Sequence, residues 1–224
     1  TGTCRYGDDY FPPNLLIAKA RYSDYPHAKL LGVDVSEAEA MPGVAAVITC
    51  RDVPYNRFGG GQAEDQRVLA EDRVLYRGDC IAVVAAETRQ QAEAAAKAIR
   101  VSYEPLPAIA DLDAALAEDA PVLHPELFPT NVCHELHMRS GDAAQGLAEA
   151  DLVVEETYHT QKVDHTPIEP RVALAIPKAG GSLHIISSNS SVFNFIRPLV
   201  KILDMPMSKV RLSVPEGIGG SFGG

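Results

Sequence analysis

The segment 80–104 constrains the fold more than any other. Ile81-Ala82-Val83-Val84-Ala85-Ala86 is an uninterrupted apolar run, the pattern of a strand covered on both faces. Thr88 and Gln91 stand at capping-box spacing just after it. The Ala-rich stretch through Ile99 has high intrinsic helix propensity. Arg100-Val101-Ser102-Tyr103-Glu104 then returns as a strand. A strand–helix–strand unit here predicts a mixed helix-and-sheet fold.

The flanking sequence extends that unit into an alternating pattern over residues 14–104. Leu15–Ala20, Lys29–Val35, Val44–Thr49 and Val74–Tyr76 read as strands. Ser36 reads as the N-cap of a short helix, Glu37–Met41, which Pro42-Gly43 ends. Residues 55–66 are polar and contain Gly59-Gly60-Gly61, so a mobile loop is expected. Five prolines between Pro105 and Pro129 mark a connector with one short helix, Leu112–Ala117.

A second unit begins near Gly141-Asp142. Ala143–Ala150 reads as a helix and Leu152–His159 as a strand. Val172–Ile176 and Leu183–Ser187 pair as a hairpin through Lys178-Ala179-Gly180-Gly181. Apolar residues at 192, 195, 196, 199, 200 and 203 predict an amphipathic helix over Ser191–Leu203. Lys209–Val214 alternates like a strand and runs into a glycine-rich turn, Gly217 to Gly224. Both ends look trimmed, and the turn is expected to continue into further chain.

Composition narrows the function classes. At 224 residues the chain holds one large or two small domains. Its net charge of −10 disfavours nucleic acid and anionic membranes as partners. No apolar run reaches membrane-spanning length. The cysteines Cys4, Cys50, Cys80 and Cys133 are too far apart for a Cys-x-x-Cys motif. Cys50 and Cys80 flank apolar runs and read as buried free thiols, which fits a reducing, cytoplasmic compartment.

Four features carry possible chemistry. His134-x-x-His137 would place two imidazoles on one helical face, but it lacks a third ligand, so no metal site is expected. His165 and Glu169 read either as an acid/base pair or as a buried polar network fixing a turn. Neither has an activating partner, which favours the network. The turn Gly219-Gly220-Ser221-Phe222-Gly223-Gly224 is either an anion cradle or a tight packing corner. Its spacing does not match the G-x-G-x-x-G dinucleotide fingerprint. Asn189 stands where a strand hands over to a helix. It either faces a ligand crevice or caps the helix.

Taken together, these segments resemble the large subunit of the molybdenum hydroxylases, the xanthine dehydrogenase and aldehyde oxidase family. Thr1-Gly2-Thr3-Cys4-Arg5-Tyr6-Gly7-Asp8-Asp9 is similar to the family's opening T-G-x-A-x-Y-x-D-D. Pro26-His27-Ala28-Lys29-Leu30 resembles P-H-A-x-I, and Met41-Pro42-Gly43-Val44 resembles L-P-G-V. Leu69 to Asp79 resembles L-A-x-D-x-V-x-Y-x-G-E, and Val101 to Pro107 resembles V-x-Y-E-x-L-P. Further on, His165 to Glu169 resembles H-x-x-x-E, and Gly219 to Gly224 resembles G-G-G-F-G-G with Ser221 for the central glycine.

The resemblance implies an α+β fold: a hammerhead-like domain over residues 1–107, a connector over 108–140, and the first part of a molybdopterin-binding domain over 141–224. It implies a cofactor wall built from Gly219, Gly220, Ser221, Phe222 and Gly223, with Phe222 near the metal. Asn189 takes the place of a family glutamine one methylene longer. Glu169 looks structural. No catalytic residue and no protein metal ligand is implied in this stretch, because the family's general base lies further downstream. The implied activity is hydroxylation of an N-heteroaromatic or aldehyde with oxygen from water. Asn56-Arg57-Phe58-Gly59 and the segment up to Val84 are most similar to the nicotinate and purine hydroxylase branch. The implied cofactors are molybdopterin, with the cytosine dinucleotide as one candidate form, and 2Fe-2S and FAD on other domains or subunits. The chain alone is expected to be inactive and to belong to a hetero-oligomer. An aromatic acyl-CoA reductase of the same family and a non-catalytic assembly module are the alternatives.

Overall fold

A computed structural model describes residues 2–59 and 63–223. Gly60, Gly61 and Gln62 of the expected mobile loop lie outside the described residues, as do Thr1 of the opening motif and Gly224 of the glycine turn.

The fold is α+β. The first half contains β1 (Ile17–Tyr22), β2 (Ala28–Asp34), α1 (Ser36–Glu39), β3 (Val44–Thr49), β4 (Arg73–Val74), β5 (Cys80–Ala86), α2 (Arg89–Ala98) and β6 (Arg100–Pro105). These strands form two three-stranded sheets, β1-β5-β3 and β4-β2-β6, and every ladder in both is antiparallel. The strand–helix–strand unit therefore bridges the two sheets: β5 is the centre of one and β6 an edge of the other.

Thr88 caps α2, its Oγ1 accepting from the Gln91 N–H at 3.2 Å. The helix lays Ala95 and Ala96 over Ala82 and Val84, and Ala38 and Ile99 close that core. Alanine lets helix and sheet approach closely, so a long apolar side chain here would overpack. Ala82, Val84 and Ala86 are fully buried, whereas Val83 and Ala85 are only partly so. The run is thus fully covered on one face rather than both, because α2 packs on that face alone. A second cluster, Ala28, Ala70, Val74 and Ile81, joins the two sheets.

Two local expectations need correction. Ser36 is the first residue of α1 and not its cap: Val35 holds the cap position without a side-chain cap bond, and the Ser36 hydroxyl turns back to donate to the Asp34 carboxylate at 2.6 Å. Cys50 and Cys80 are half-buried rather than buried, since each sits at a strand end.

The connector holds α3 (Leu112–Leu116), and α4 (Ala143–Glu149) follows. Each is capped by an aspartate, Asp111 and Asp142, that accepts from the N–H three residues on. The expected strand Leu152–His159 does not form. Leu152, Val154 and Tyr158 stand 79%, 76% and 84% exposed, and no neighbouring strand among the described residues offers a ladder. Alternation alone does not make a strand when backbone groups find no partner.

The chain then forms β7 (Ala173–Lys178), β8 (Ser182–Ser187), α5 (Val192–Ile202) and β9 (Val210–Ser213). β7 and β8 make the expected hairpin, with Gly180 and Gly181 both at positive φ in its turn. β8 and β9 run parallel, and α5 is the crossover between them. None of the described helices is long and apolar enough to cross a membrane.

Candidate functional site

Parallel β8 and β9 end on the same side, so the turn after β8 and the loop after β9 emerge side by side. The first carries Ser188, Asn189 and Ser190. The second carries Gly217 to Gly223. The segment leading into β7, with His165, Glu169 and Arg171, runs between them and the N-terminal turn Gly7–Asp9.

Glu169 holds the glycine loop from one side. Its carboxylate accepts from the Gly219 N–H at 2.6 Å and from the Gly7 N–H at 3.1 Å. The two ends of the described chain meet on this one side chain. A side chain at 219 would not fit, because a Cβ there would overlap the Glu169 Cβ. The opening segment is zipped on further, with Gly217 N–H donating to the Arg5 carbonyl at 3.2 Å. The Glu216 carboxylate also accepts from the Arg5 N–H at 3.3 Å.

Arg171 holds the loop from the other side. Its guanidinium donates to the Ser188 carbonyl at 3.0 Å and to the Ser221 carbonyl at 3.2 Å. Ser188, 2% exposed, uses its hydroxyl to accept from the Val172 N–H at 3.0 Å. The Ser221 and Ser190 hydroxyls lie 2.8 Å apart. Residues 219 and 221 are thereby pinned to the protein. Among the described residues, the N–H groups of Gly220, Phe222 and Gly223 have no protein acceptor. Gly220 and Gly223 adopt φ of +114° and +91°. Phe222 also lies in the left-handed region, at φ +53°, with its ring 74% exposed.

The residues expected from sequence fall into two groups. Asn189, Gly219, Gly220, Ser221, Phe222 and Gly223 come together around the β8 and β9 ends. Asn189 is 7% exposed, and its Oδ1 accepts from the Ser191 N–H at 3.2 Å just ahead of α5. His165 and Glu169 do not meet: His165 lies 4.0 Å from Asp164, and both Glu169 oxygens are taken by main-chain donors. They line an open hollow of about 330 Å³ together with Thr166, Pro167 and Arg171. His137 stands beside Glu135 at 3.5 Å and is exposed. Among the described residues, no group of three or more His, Cys, Asp or Glu is placed to hold a metal ion.

Local sequence assigns no role to Arg171, Ser190 or Gly7. Each acts through a partner 17 or more residues away. The one local signal is an arginine two residues after Glu169, just ahead of β7.

Comparison with known proteins gives the site its context. The family model described as "Aldehyde oxidase and xanthine dehydrogenase, a/b hammerhead domain" matches residues 1–107, and "Molybdopterin cofactor-binding domain" matches residues 123–224. A probable xanthine dehydrogenase subunit of Bacillus subtilis is 40% identical over the whole chain, which spans 30% of that protein. The nicotinate dehydrogenase large molybdopterin subunit of Eubacterium barkeri is 36% identical over the whole chain, which spans 52% of it. The solved aldehyde oxidoreductase of Desulfovibrio gigas superposes with a TM-score of 0.86 at 33% identity over 99% of this chain and 26% of that one. Quinoline 2-oxidoreductase of Pseudomonas putida superposes at 0.87 with 28% identity over 99% of this chain and 29% of that one. The chain thus spans between about a quarter and a half of each of these four relatives.

Proposed function

The chain belongs to the aldehyde oxidase and xanthine dehydrogenase family of molybdenum oxidoreductases, and on that premise we propose that it forms one wall of a molybdopterin site in a hydroxylase subunit. Residues 1–107 are its hammerhead domain, 108–140 a connector, and 141–224 the first part of the cofactor domain. The observation that carries this reading is the loop 219–223. It is pinned at Gly219 and Ser221 and offers the N–H groups of Gly220, Phe222 and Gly223 to a ligand.

A cluster of main-chain donors on a glycine-rich turn suits the oxygen-rich, negatively charged pterin, so the residues present fit the group. When bound, the cofactor supplies a redox-active molybdenum centre that hydroxylates an electron-poor carbon with oxygen from water. This chain's part is to bind and orient. The N–H groups of Gly220, Phe222 and Gly223 would donate hydrogen bonds to it, and the exposed Phe222 ring would offer it an aromatic face. Asn189 fixes the turn beside it. Each Glu169 oxygen already accepts from a main-chain N–H, of Gly7 and of Gly219, which gives this carboxylate a structural role. On this reading the general base comes from outside these residues, and the chain alone has no turnover.

Relatives named for xanthine, nicotinate and quinoline support an N-heteroaromatic substrate, and one named for aldehyde keeps aldehydes in view. A cytosine dinucleotide form of the pterin, and iron–sulfur and flavin groups on other domains or subunits of a hetero-oligomer, complete the proposal. Metal and pterin analysis of the purified parent complex tests it. Stoichiometric molybdenum and a releasable pterin are expected, and a complex with neither overturns the cofactor reading. Oxidation of any N-heteroaromatic or aldehyde by the 224-residue chain alone would overturn the division of labour.

A further inference from the structure

The cofactor-wall reading leaves open what fixes the loop's conformation at Phe222. A residue other than glycine at positive φ is strained and persists only where its surroundings hold it. The residue just before Phe222 is Ser221, and two of its contacts restrain it here. Its carbonyl accepts from Arg171 at 3.2 Å, and its hydroxyl pairs with that of Ser190 at 2.8 Å. Arg171 also grips Ser188, two residues ahead of Ser190, at 3.0 Å. The result is a closed frame. Arg171 reaches both the turn after β8 and the loop after β9, and the two serine hydroxyls close the opposite side. Asn189 lies inside this frame, between its two anchored neighbours.

A glycine at 221 would keep the carbonyl contact and lose the hydroxyl contact. The serine is therefore more than a tolerated departure from an all-glycine loop. We infer that Ser190 and Ser221 form a hydroxyl clasp that positions Phe222 and the open N–H donors of 220–223 relative to Asn189. Both are positioning residues, acting through the backbone they hold. The inference rests on the proposed cofactor wall for its functional consequence but not for its existence.

The test uses the full-length parent enzyme with Ser190→Ala, Ser221→Ala, the double variant, and Ser190→Thr. Two readouts are taken besides turnover: amide hydrogen exchange over 219–223, and the rate at which pterin is lost on gel filtration. Each alanine variant is expected to speed both by roughly two- to tenfold, the worth of one hydrogen bond. The double variant should match either single one, because both remove the same contact. Ser190→Thr, which keeps the hydroxyl, should restore both rates. The global melting temperature should stay where it is, which separates positioning from general stability. Effects that add in the double variant, or alanine variants with unchanged loop exchange, overturn the clasp. Unchanged pterin loss with faster loop exchange overturns its role at the cofactor. A parent enzyme holding no pterin overturns the cofactor wall, while loop exchange still decides the clasp.

Discussion

Glu169 shows how one side chain outweighs its local sequence. Its two oxygens serve two main-chain donors from opposite ends of the described chain. Glu169→Gln puts an amide NH₂ against one of those N–H groups and should cost about 1–3 kcal/mol, read from urea unfolding. An unchanged midpoint would show that the bridge contributes nothing. Cys80 offers a second residue-scale test. Burial, with the nearby Asp79 charge adding to it, pushes its thiol up to about 11. Roughly one molecule in a thousand then carries the thiolate at pH 8, so alkylation should reach the exposed Cys4 and Cys133 well before Cys80. Mass-spectrometric mapping of the labelled sites checks the order. His184 gives a pH dependence. Burial, and then the positive charges of Arg211 and Lys178, hold its imidazole below the ordinary value of 6.5. Protonation thus favours the unfolded chain, so stability is full above the unfolded value and falls as pH drops through 6.5. The urea midpoint should fall more steeply between pH 7 and pH 5 in the wild type than in His184→Gln.

Among the elements, those whose signals are entirely local are legible. α2 follows from its alanines and from Thr88, and Thr88→Ala should destabilise by roughly 1 kcal/mol in urea unfolding. The β7–β8 hairpin follows from two apolar runs around a Gly-Gly turn. α5 follows from its spacing, although Phe195 of the expected apolar face is half-exposed. The segment 152–159 has an equally good local signal and forms no strand. A strand is completed only by a neighbour, and the described residues supply none. The apolar run of β5 has the pattern of a strand covered on both faces, yet α2 packs on only one. Ile81, which belongs to the second cluster, still lies 1% exposed. Ile81→Ala should therefore cost about 2–5 kcal/mol, measured the same way.

At the scale of the whole molecule, long-range contacts join the parts. Lys201 near the end of α5 pairs with Glu64 at 2.6 Å and lies over the Tyr55 ring at 4.0 Å. Arg73 reaches Glu126 in the connector at 2.6 Å. Loss of the Glu64 contact in Lys201→Met should leave the secondary structure intact and speed amide exchange around Tyr55, whose N–H donates to the Ile202 carbonyl at 3.3 Å. Equal exchange would show that the hydrophobic surroundings suffice. The site is legible in sequence as a set of segments: the glycine turn, Asn189 and the His165–Glu169 motif each stand out locally. What escapes is how they engage one another. By itself the sequence determined the α+β class, the Thr88-capped helix and the family resemblance, because these rest on propensity, periodicity and motif order within short windows. Only the tertiary structure decided that Glu169 serves as a bridge, that Arg171 frames the site, and that Ser221 finds Ser190. Those contacts depend on parallel β8 and β9 ending on one side, a consequence of the crossover through α5. No short window contains both partners of such a contact.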